Sequence, residues 1–217
     1  MFILNFHGLG EPLVSQDRSD EVYWTDPHFF AAVLEMVRER RDVLVTFDDC
    51  YESDYSIALP LLKASKMNAR FFVVASRVGQ KGFLSGQQIQ SLYAEGMKIG
   101  SHGMYHRKWS ALSERELDEE IVDARDCIEQ VVGARIVEAA CPFGGYNRRV
   151  LRRLLASGYE RVYTSDGGAA SAESWIQPRN TIVRGDDLPR VSGIITKAPT
   201  GPKAAWRQLK SLLKRWR

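Results

Sequence analysis

Three of the chain's four histidines, His7, His102 and His106, and one pair of adjacent acids, Asp48 and Asp49, are the residues whose types and spacing could do chemistry together. In "SHGMYH", His102 and His106 stand four apart. In a helical turn that spacing puts both imidazoles on one face, where they can share a metal ion. Alone it fits two surface or capping histidines equally well. "VLVTFDDC", residues 43–50, shifts the balance by ending a run of strand formers in two carboxylates. Side chains alternate across a strand, so the two acids point different ways. One Asp could open a turn or cap a helix. Two in succession after an apolar strand bring a carboxylate to buried surface, which is costly unless it is paired or bound to a cation. Two imidazoles and one carboxylate leave positions open for water and substrate, as a catalytic metal site requires. The remaining acid is then free to act as a base toward water.

Elements that alternate along the chain must position these groups. Asp26-Pro27 reads as the N-cap and first residue of a helix, "PHFFAAVLEMVRER". After the strand "VLVTF" comes a helix around "SDYSIALPLLKAS", kinked at Pro60, and then the buried-type strand "ARFFVVA". Ser85 with Gln88, and Ser113 with Glu116, form capping-box patterns that open two helices. "MKIGS", "ARIVEAA" and "YERVYTS" complete the strands, with "FILNF" at the start, and Asn147 caps "RRVLRRLLAS". Alternating strands and helices imply parallel pairing and an α/β fold, with a barrel and an open doubly wound sheet both compatible. Residues 166–202, rich in Gly, Pro and Asp, read as loops over one face. Functional groups in such folds gather at the C-terminal ends of strands. His7, Asp48-Asp49, His102, and Cys141 with Pro142-Phe143-Gly144 all fall there.

"TFDD", "SHGMYH" and "ACPFGGYN" resemble, in order and spacing, the three leading motifs of the polysaccharide deacetylases, the NodB homology family. The resemblance covers roughly residues 1–185. It implies a distorted (β/α) barrel and a divalent metal, most often zinc, that serves to hydrolyse an acetamido group on a carbohydrate. It makes Asp48 the general base, makes Asp49, His102 and His106 the metal ligands, and makes the N–H of Phe143 an oxyanion donor. It further implies a place in bacterial surface-polysaccharide assembly, with a polysaccharide or lipid-linked sugar as substrate.

The sequence departs from the family pattern in several places. Cys50 stands where a glycine usually ends the first motif. Ala140 stands where an arginine usually orients the base, so Asp48 needs another partner, and Arg179 and Arg184 are the candidates. Arg179 is also placed at the substrate and oxyanion side. No histidine follows His106 to serve as general acid, and His7, at the first strand's end, is expected to replace it. His28, in a first helical turn, reads as structural. Cys50 and Cys141 are expected close to the metal but structural, since the histidines nearby are committed and a thiol nucleophile needs a base.

The 217 residues are 44% hydrophobic and 26% charged, enough for one globular domain with a sizeable core. No apolar run reaches the ~18 residues of a membrane span. The start "MFILNFHGLGEP" has no basic leader pattern, and three cysteines form no paired framework, so a cytoplasmic location is expected. Lys203, Arg207, Lys210, Lys214, Arg215 and Arg217 crowd the end of the chain, leaving 24 basic against 27 acidic residues elsewhere. A slightly acidic body gives no support to nucleic-acid binding. The expected division is a barrel domain, 1–202, and a basic amphipathic helix, 203–217. In that helix Trp206, Leu209, Leu213 and Trp216 share a face suited either to packing on the barrel or to peripheral contact with an anionic membrane at its inner face. Hydrolysis of another amide and a catalytically impaired sugar-binding module are the alternatives to N-deacetylation.

Overall fold

Leu44, Thr46 and Asp48 alternate with Val45 and Phe47 along strand β2 (Val43–Asp48), and that alternation sorts the molecule into an inside and an outside. The computed structural model describes residues 1–12, 20–196, 209 and 213–216. Around β2 lie β1 (Phe2–Phe6), β3 (Ala69–Val73), β4 (Lys98–Ser101), β5 (Glu138–Ala140), β6 (Arg161–Thr164), β7 (Ile176–Pro178) and β8 (Asn180–Thr181). All pair in parallel, in the order β7-β6-β5-β4-β3-β2-β1-β8. The last two strands are one segment of chain. Its first half pairs with β6 and its second half with β1, so residues 176–181 draw the two edges of the sheet together. The result is the distorted (β/α) barrel that the sequence motifs imply.

Helices α1 (Pro27–Val37), α2 (Leu59–Ala64), α3 (Gly86–Ala94), α4 (Glu114–Asp118), α5 (Ala124–Val132), α6 (Arg148–Ala156) and α7 (Leu188–Thr196) accompany the strands. The cap chemistry read from the sequence is in place. The Asp26 carboxylate accepts from the N–H groups of His28 and Phe29. Both capping boxes are closed, and the Asn147 side chain accepts from the Val150 N–H. The outward strand faces and the helices share the main core, in which the Phe47 and Phe71 rings stack at 5.0 Å with Phe30 edge-on to Phe47 at 5.4 Å. The opposite strand faces contribute Ile3, Phe72, Ala140 and Tyr163 to a smaller apolar cluster.

Three local expectations change. The segment before Pro60 is a π-helical turn, Asp54–Ala58, that runs into α2, whose first turn holds the proline. "ARIVEAA" contributes only three strand residues, because the Ile136 N–H is taken at 2.9 Å by the carboxylate of Glu129 on α5. Residues after Ser165 are more than loops, since they hold β7, β8 and α7. Of the expected helix 203–217, residues 209 and 213–216 are helical, and the rest lies outside the described residues.

Arg179 sits where β7 gives way to β8. Its backbone N–H donates to Thr164 O at 2.9 Å and its side chain, 1% exposed, forms a bidentate pair with Asp48 at 2.6 and 2.7 Å. Removing one partner of a buried ion pair leaves an uncompensated charge. Arg179→Leu is therefore expected to lower the unfolding free energy by about 3–5 kcal/mol. Lys63→Leu, which breaks the exposed Lys63–Glu95 contact, is expected to cost no more than about 1 kcal/mol. Urea unfolding of the two variants tests this, and equal losses would show that the pair does not hold the seam.

Candidate metal centre and active site

Asp48 is the last residue of β2, and strand alternation turns its side chain into the barrel. Asp49 and Cys50 then adopt left-handed backbone, φ +77° and +56°. Each such residue costs roughly 1–2 kcal/mol, with Asp among the more tolerant side chains. This double reversal swings Asp49 out of the strand's course and up to the rim. It also explains why the position of Cys50 favours glycine, although nothing in the structure explains why a cysteine takes it. The Cys50 thiol is buried, 3.8 Å from Val74 O, and burial pushes its pKa far above the ordinary thiol value. Burial pushes the Cys141 thiol up to about 12. Both are neutral thiols, and neither joins the cluster that can hold a metal.

Asp48 lies in a polar knot. Besides Arg179, its carboxylate accepts from the Asn5 amide at 3.0 Å. The Asn5 oxygen accepts from the Thr46 hydroxyl at 2.6 Å and from Arg179 at 2.7 Å. Burial by itself would raise the pKa of Asp48, but Arg179 above all holds the carboxyl well below the usual carboxylate range. Asp48 is thus an oriented anion at neutral pH.

Asp49, His102 and His106 present one ligand atom each within 4.8 Å of one another. Asp49 Oδ1 lies 3.2 Å from His106 Nε2 and 3.9 Å from His102 Nε2. Tetrahedral bonds of ~2.0–2.1 Å place ligand atoms about 3.4 Å apart, so the set suits a small divalent ion. The tautomer is also suitable. His102 Nδ1 lies 2.8 Å from Ala140 O, which makes Nδ1 the donor and leaves the Nε2 lone pair facing the cluster. Burial lowers the His106 pKa to about 4, keeping that imidazole neutral and able to ligate. Arg77 donates to Asp49 Oδ1 at 3.0 Å.

The two histidines come together without a helix. Residues 102–108 form a bend in which Gly103 and His106 are left-handed, φ +88° and +58°. The helical turn expected from the i, i+4 spacing is therefore replaced by a loop. His7 also reaches the site, its Nε2 3.9 Å from Asp48 Oδ2 and its ring 4.8 Å from that of Tyr23. Burial lowers its pKa, and among the described residues its Nδ1 is buried without a hydrogen-bond partner. Phe143 is left-handed, φ +56°, in the turn Pro142–Gly144. Its N–H has no protein acceptor among the described residues, and its exposed ring lies 4.5 Å from that of His106.

Arg184 does not reach Asp48. It contacts Trp24 O and Glu11, because its own segment runs beside the β1–α1 connection. His28 is exposed on the first turn of α1, away from the cluster. Sequence reasoning missed Asn5 and Arg77. Each had a faint signal: Asn5 is a polar residue two before His7 in an apolar strand, and Arg77 follows the C-terminal end of β3. Asp54 was missed too. It is fully buried with both carboxylate oxygens unpartnered among the described residues, and burial with the nearby acids raises its pKa, which makes it a neutral carboxyl.

Residues 36–162 match the polysaccharide deacetylase family. The Bacillus subtilis protein YxkH, named as a polysaccharide deacetylase, is 30% identical over 131 residues, 60% of this chain and 47% of its own length. The peptidoglycan-N-acetylglucosamine deacetylase of Bacillus cereus is 30% identical over 133 residues, 60% of each chain. The match thus spans between about half and three-fifths of these relatives. The Streptococcus pyogenes deacetylase PplD, solved with acetate, superimposes with a TM-score of 0.80 over 91% of this chain and 98% of its own, at 20% identity. At that identity the likeness is one of fold.

A ligand that binds only the folded state stabilises it by mass action. At free Zn(II) about 100 times its Kd, the unfolding free energy is expected to rise by about 2.7 kcal/mol. His106→Ala and Asp49→Ala should show no such rise at the same concentration. A rise retained in both variants would place the ion elsewhere.

Proposed function

The chain belongs to the polysaccharide deacetylase family, and from that premise we propose that it is a metal-dependent hydrolase that removes N-acetyl groups from a carbohydrate. The observation that carries this reading is the convergence of Asp49, His102 and His106 beside an Asp48 held as an oriented anion. A pure sugar-binding module has no use for either feature. The names of the relatives, deacetylases of polysaccharide and peptidoglycan, point to the same substrate class.

A divalent ion, in our reading zinc, supplies Lewis-acid polarisation of the amide carbonyl and makes a neighbouring water easier to deprotonate. Asp48 takes the proton of the attacking water, with Arg179 and Asn5 fixing the direction of its lone pairs. The N–H of Phe143, without a protein acceptor among the described residues, would donate to the developing oxyanion. We assign protonation of the departing amine to His7, whose Nε2 lies 3.9 Å from Asp48 Oδ2 and would pass on the proton that Asp48 takes from water. The exposed Phe143 ring, 4.5 Å from that of His106, offers a sugar an apolar surface.

We assign the basic tail to an anionic lipid surface at the inner face of the membrane, where a lipid-linked sugar would be met. Leu209, Leu213 and Trp216 are 46%, 49% and 77% exposed. Lys214 meanwhile ties the tail to Asp166 at 2.7 Å and to Gly144 O at 3.1 Å, next to Phe143. That contact brings Lys214 of the tail beside the turn that holds Phe143.

Acetate release from a panel of N-acetylated oligosaccharides and lipid-linked N-acetylated sugars tests the activity. Asp48→Asn and His7→Ala are each expected to lower turnover by about 10²–10⁴-fold, the usual yield of a general base or acid, with bound metal retained. Near-wild-type turnover of metal-loaded His7→Ala would remove His7 from the mechanism. Equal acetate release by Asp48→Asn would overturn the reading of the site. Co-sedimentation with phosphatidylglycerol vesicles at low salt tests the tail, and a chain that stays in the supernatant refutes lipid contact.

A further inference from the structure

The loop that carries His106 has little regular structure of its own, yet it must hold an imidazole in register with Asp49 from another strand. Its carbonyls at Gly103 and Met104 accept from the N–H groups of Ala75 and Ser76. The Gly103 N–H donates to the Ser101 hydroxyl at 3.2 Å, and the donors that follow converge on a single side chain. Glu120 accepts from the Met104 N–H at 3.0 Å and the Trp109 indole N–H at 3.3 Å through Oε2. Through Oε1 it accepts from the Tyr105 N–H at 3.1 Å and Arg107 Nε at 2.7 Å. Four donors from residues 104–109 thus use the four lone-pair sites of one carboxylate.

Glu120 is fully buried, so its charge needs compensation, and the guanidinium of Arg107 provides it while also reaching Glu119 at 2.6 Å. The carboxylate is delivered by a π-helical turn, Glu119–Asp123, inserted between α4 and α5. Such insertions recur at functional sites, where they re-aim side chains. The loop is shaped to receive it. A Cβ on Gly103 would lie 2.2 Å from Glu120 Oε2, so with this carboxylate in place the residue after the ligand His102 has room only for hydrogen. The site so far described uses Glu120 in no chemical step.

We propose that Glu120 is the positioning residue of the metal centre. It gathers the N–H groups of the loop between the two histidine ligands and so sets where His106 meets Asp49. This rests on the reading of Asp49, His102 and His106 as metal ligands. Glu120 touches neither metal nor substrate and acts through the loop. A glutamine cannot replace it, because its amide nitrogen would face two of the four donors.

Zn(II) affinity of the full-length chain, measured by competition with a chelating dye, tests the proposal alongside the Co(II) absorption spectrum. Glu120→Gln is expected to raise the Zn(II) Kd by about 10–100-fold, as outer-shell partners of metal ligands do, and to alter the spectrum of the Co(II)-saturated protein. Ile128→Val is the control. It trims a buried side chain on α5, the helix that follows the π turn, and it should shift Kd by less than about 2-fold against that 10–100-fold scale. If Glu120→Gln does not fold, Arg107→Gln removes one donor from a partly exposed position and should weaken Zn(II) binding in the same direction. Wild-type affinity and an unchanged Co(II) spectrum in the folded Glu120→Gln, or in Arg107→Gln where it replaces it, overturn the proposal alone. An equal loss in Ile128→Val overturns it as well, by showing a general effect of stability. A wild-type chain that binds no Zn(II) overturns the metal reading itself.

Discussion

A bidentate ion pair buried inside the barrel, Asp48 with Arg179, joins the two ends of the fold's logic. Asp48 closes the second strand, and Arg179 lies at the point where the last segment changes partners from β6 to β1. A barrel whose final strand has only three residues on one side and two on the other gains little from its ladder hydrogen bonds. The guanidinium supplies what the ladder lacks. It reaches across the interior to Asp48 and Asn5 and packs its flat face 5.2 Å from the Phe72 ring centre. Buried pairs contribute less to net stability than to geometry, because desolvation consumes much of their attraction. Here geometry is the useful product: the contact that completes the seam also fixes which way a carboxylate faces.

The same arginine accounts for the departure at Ala140. In the family pattern an arginine two residues before the proline orients the base, and in this chain that position holds a small side chain within the apolar cluster of Ile3, Phe72 and Tyr163. A guanidinium arrives at Asp48 from the other side of the barrel instead. Orientation of the acid depends on a cation at the right place in space, and the chain has two strand ends from which one can reach it.

Local features were legible in the sequence because their physics is local. Asp26-Pro27, the two capping boxes and Asn147 involve groups three residues apart or fewer, and each appears as read. The convergence of Asp49, His102 and His106 was legible as residue types at strand ends. What escaped depends on partners distant in the chain. Arg179 could be named as a candidate but not chosen over Arg184, since nothing near residue 179 announces a partner 131 positions away. Strands β7 and β8 are too short to show a period of two. The bend at His102–His106 is not the helical turn in which the i, i+4 spacing would share a face, because its shape is imposed from outside, by Glu120 and by the strand end before it. Left-handed backbone at Asp49, Cys50, His106 and Phe143 was invisible for a related reason: none is glycine, so residue type gave no warning. These strained positions are tolerated where the surrounding structure over-determines them, and all four line or adjoin the candidate site.

The charge balance of the site follows from the same arrangement. Each of the two acids at the end of β2 has its own guanidinium: Arg179 for Asp48 and Arg77, at 3.0 Å, for Asp49. Asp54, the third acid in reach, is buried and neutral. Burial lowers the pKa of His7 and His106. Without a bound ion, the two acids and two arginines therefore sum to about zero, so the site asks for no second cation to balance it. A bound dication would retain most of its positive field, because the one carboxylate beside it already shares its charge with Arg77. That costs affinity, since a less neutralised ligand would hold the ion more tightly. It preserves the ion's power to polarise a carbonyl, which scales with the charge left uncompensated. The pairing of each acid with an arginine thus separates two demands that two bare adjacent carboxylates would confuse: Arg179 fixes the direction of one acid, and Arg77 shares the charge of the acid that belongs to the cluster able to hold an ion.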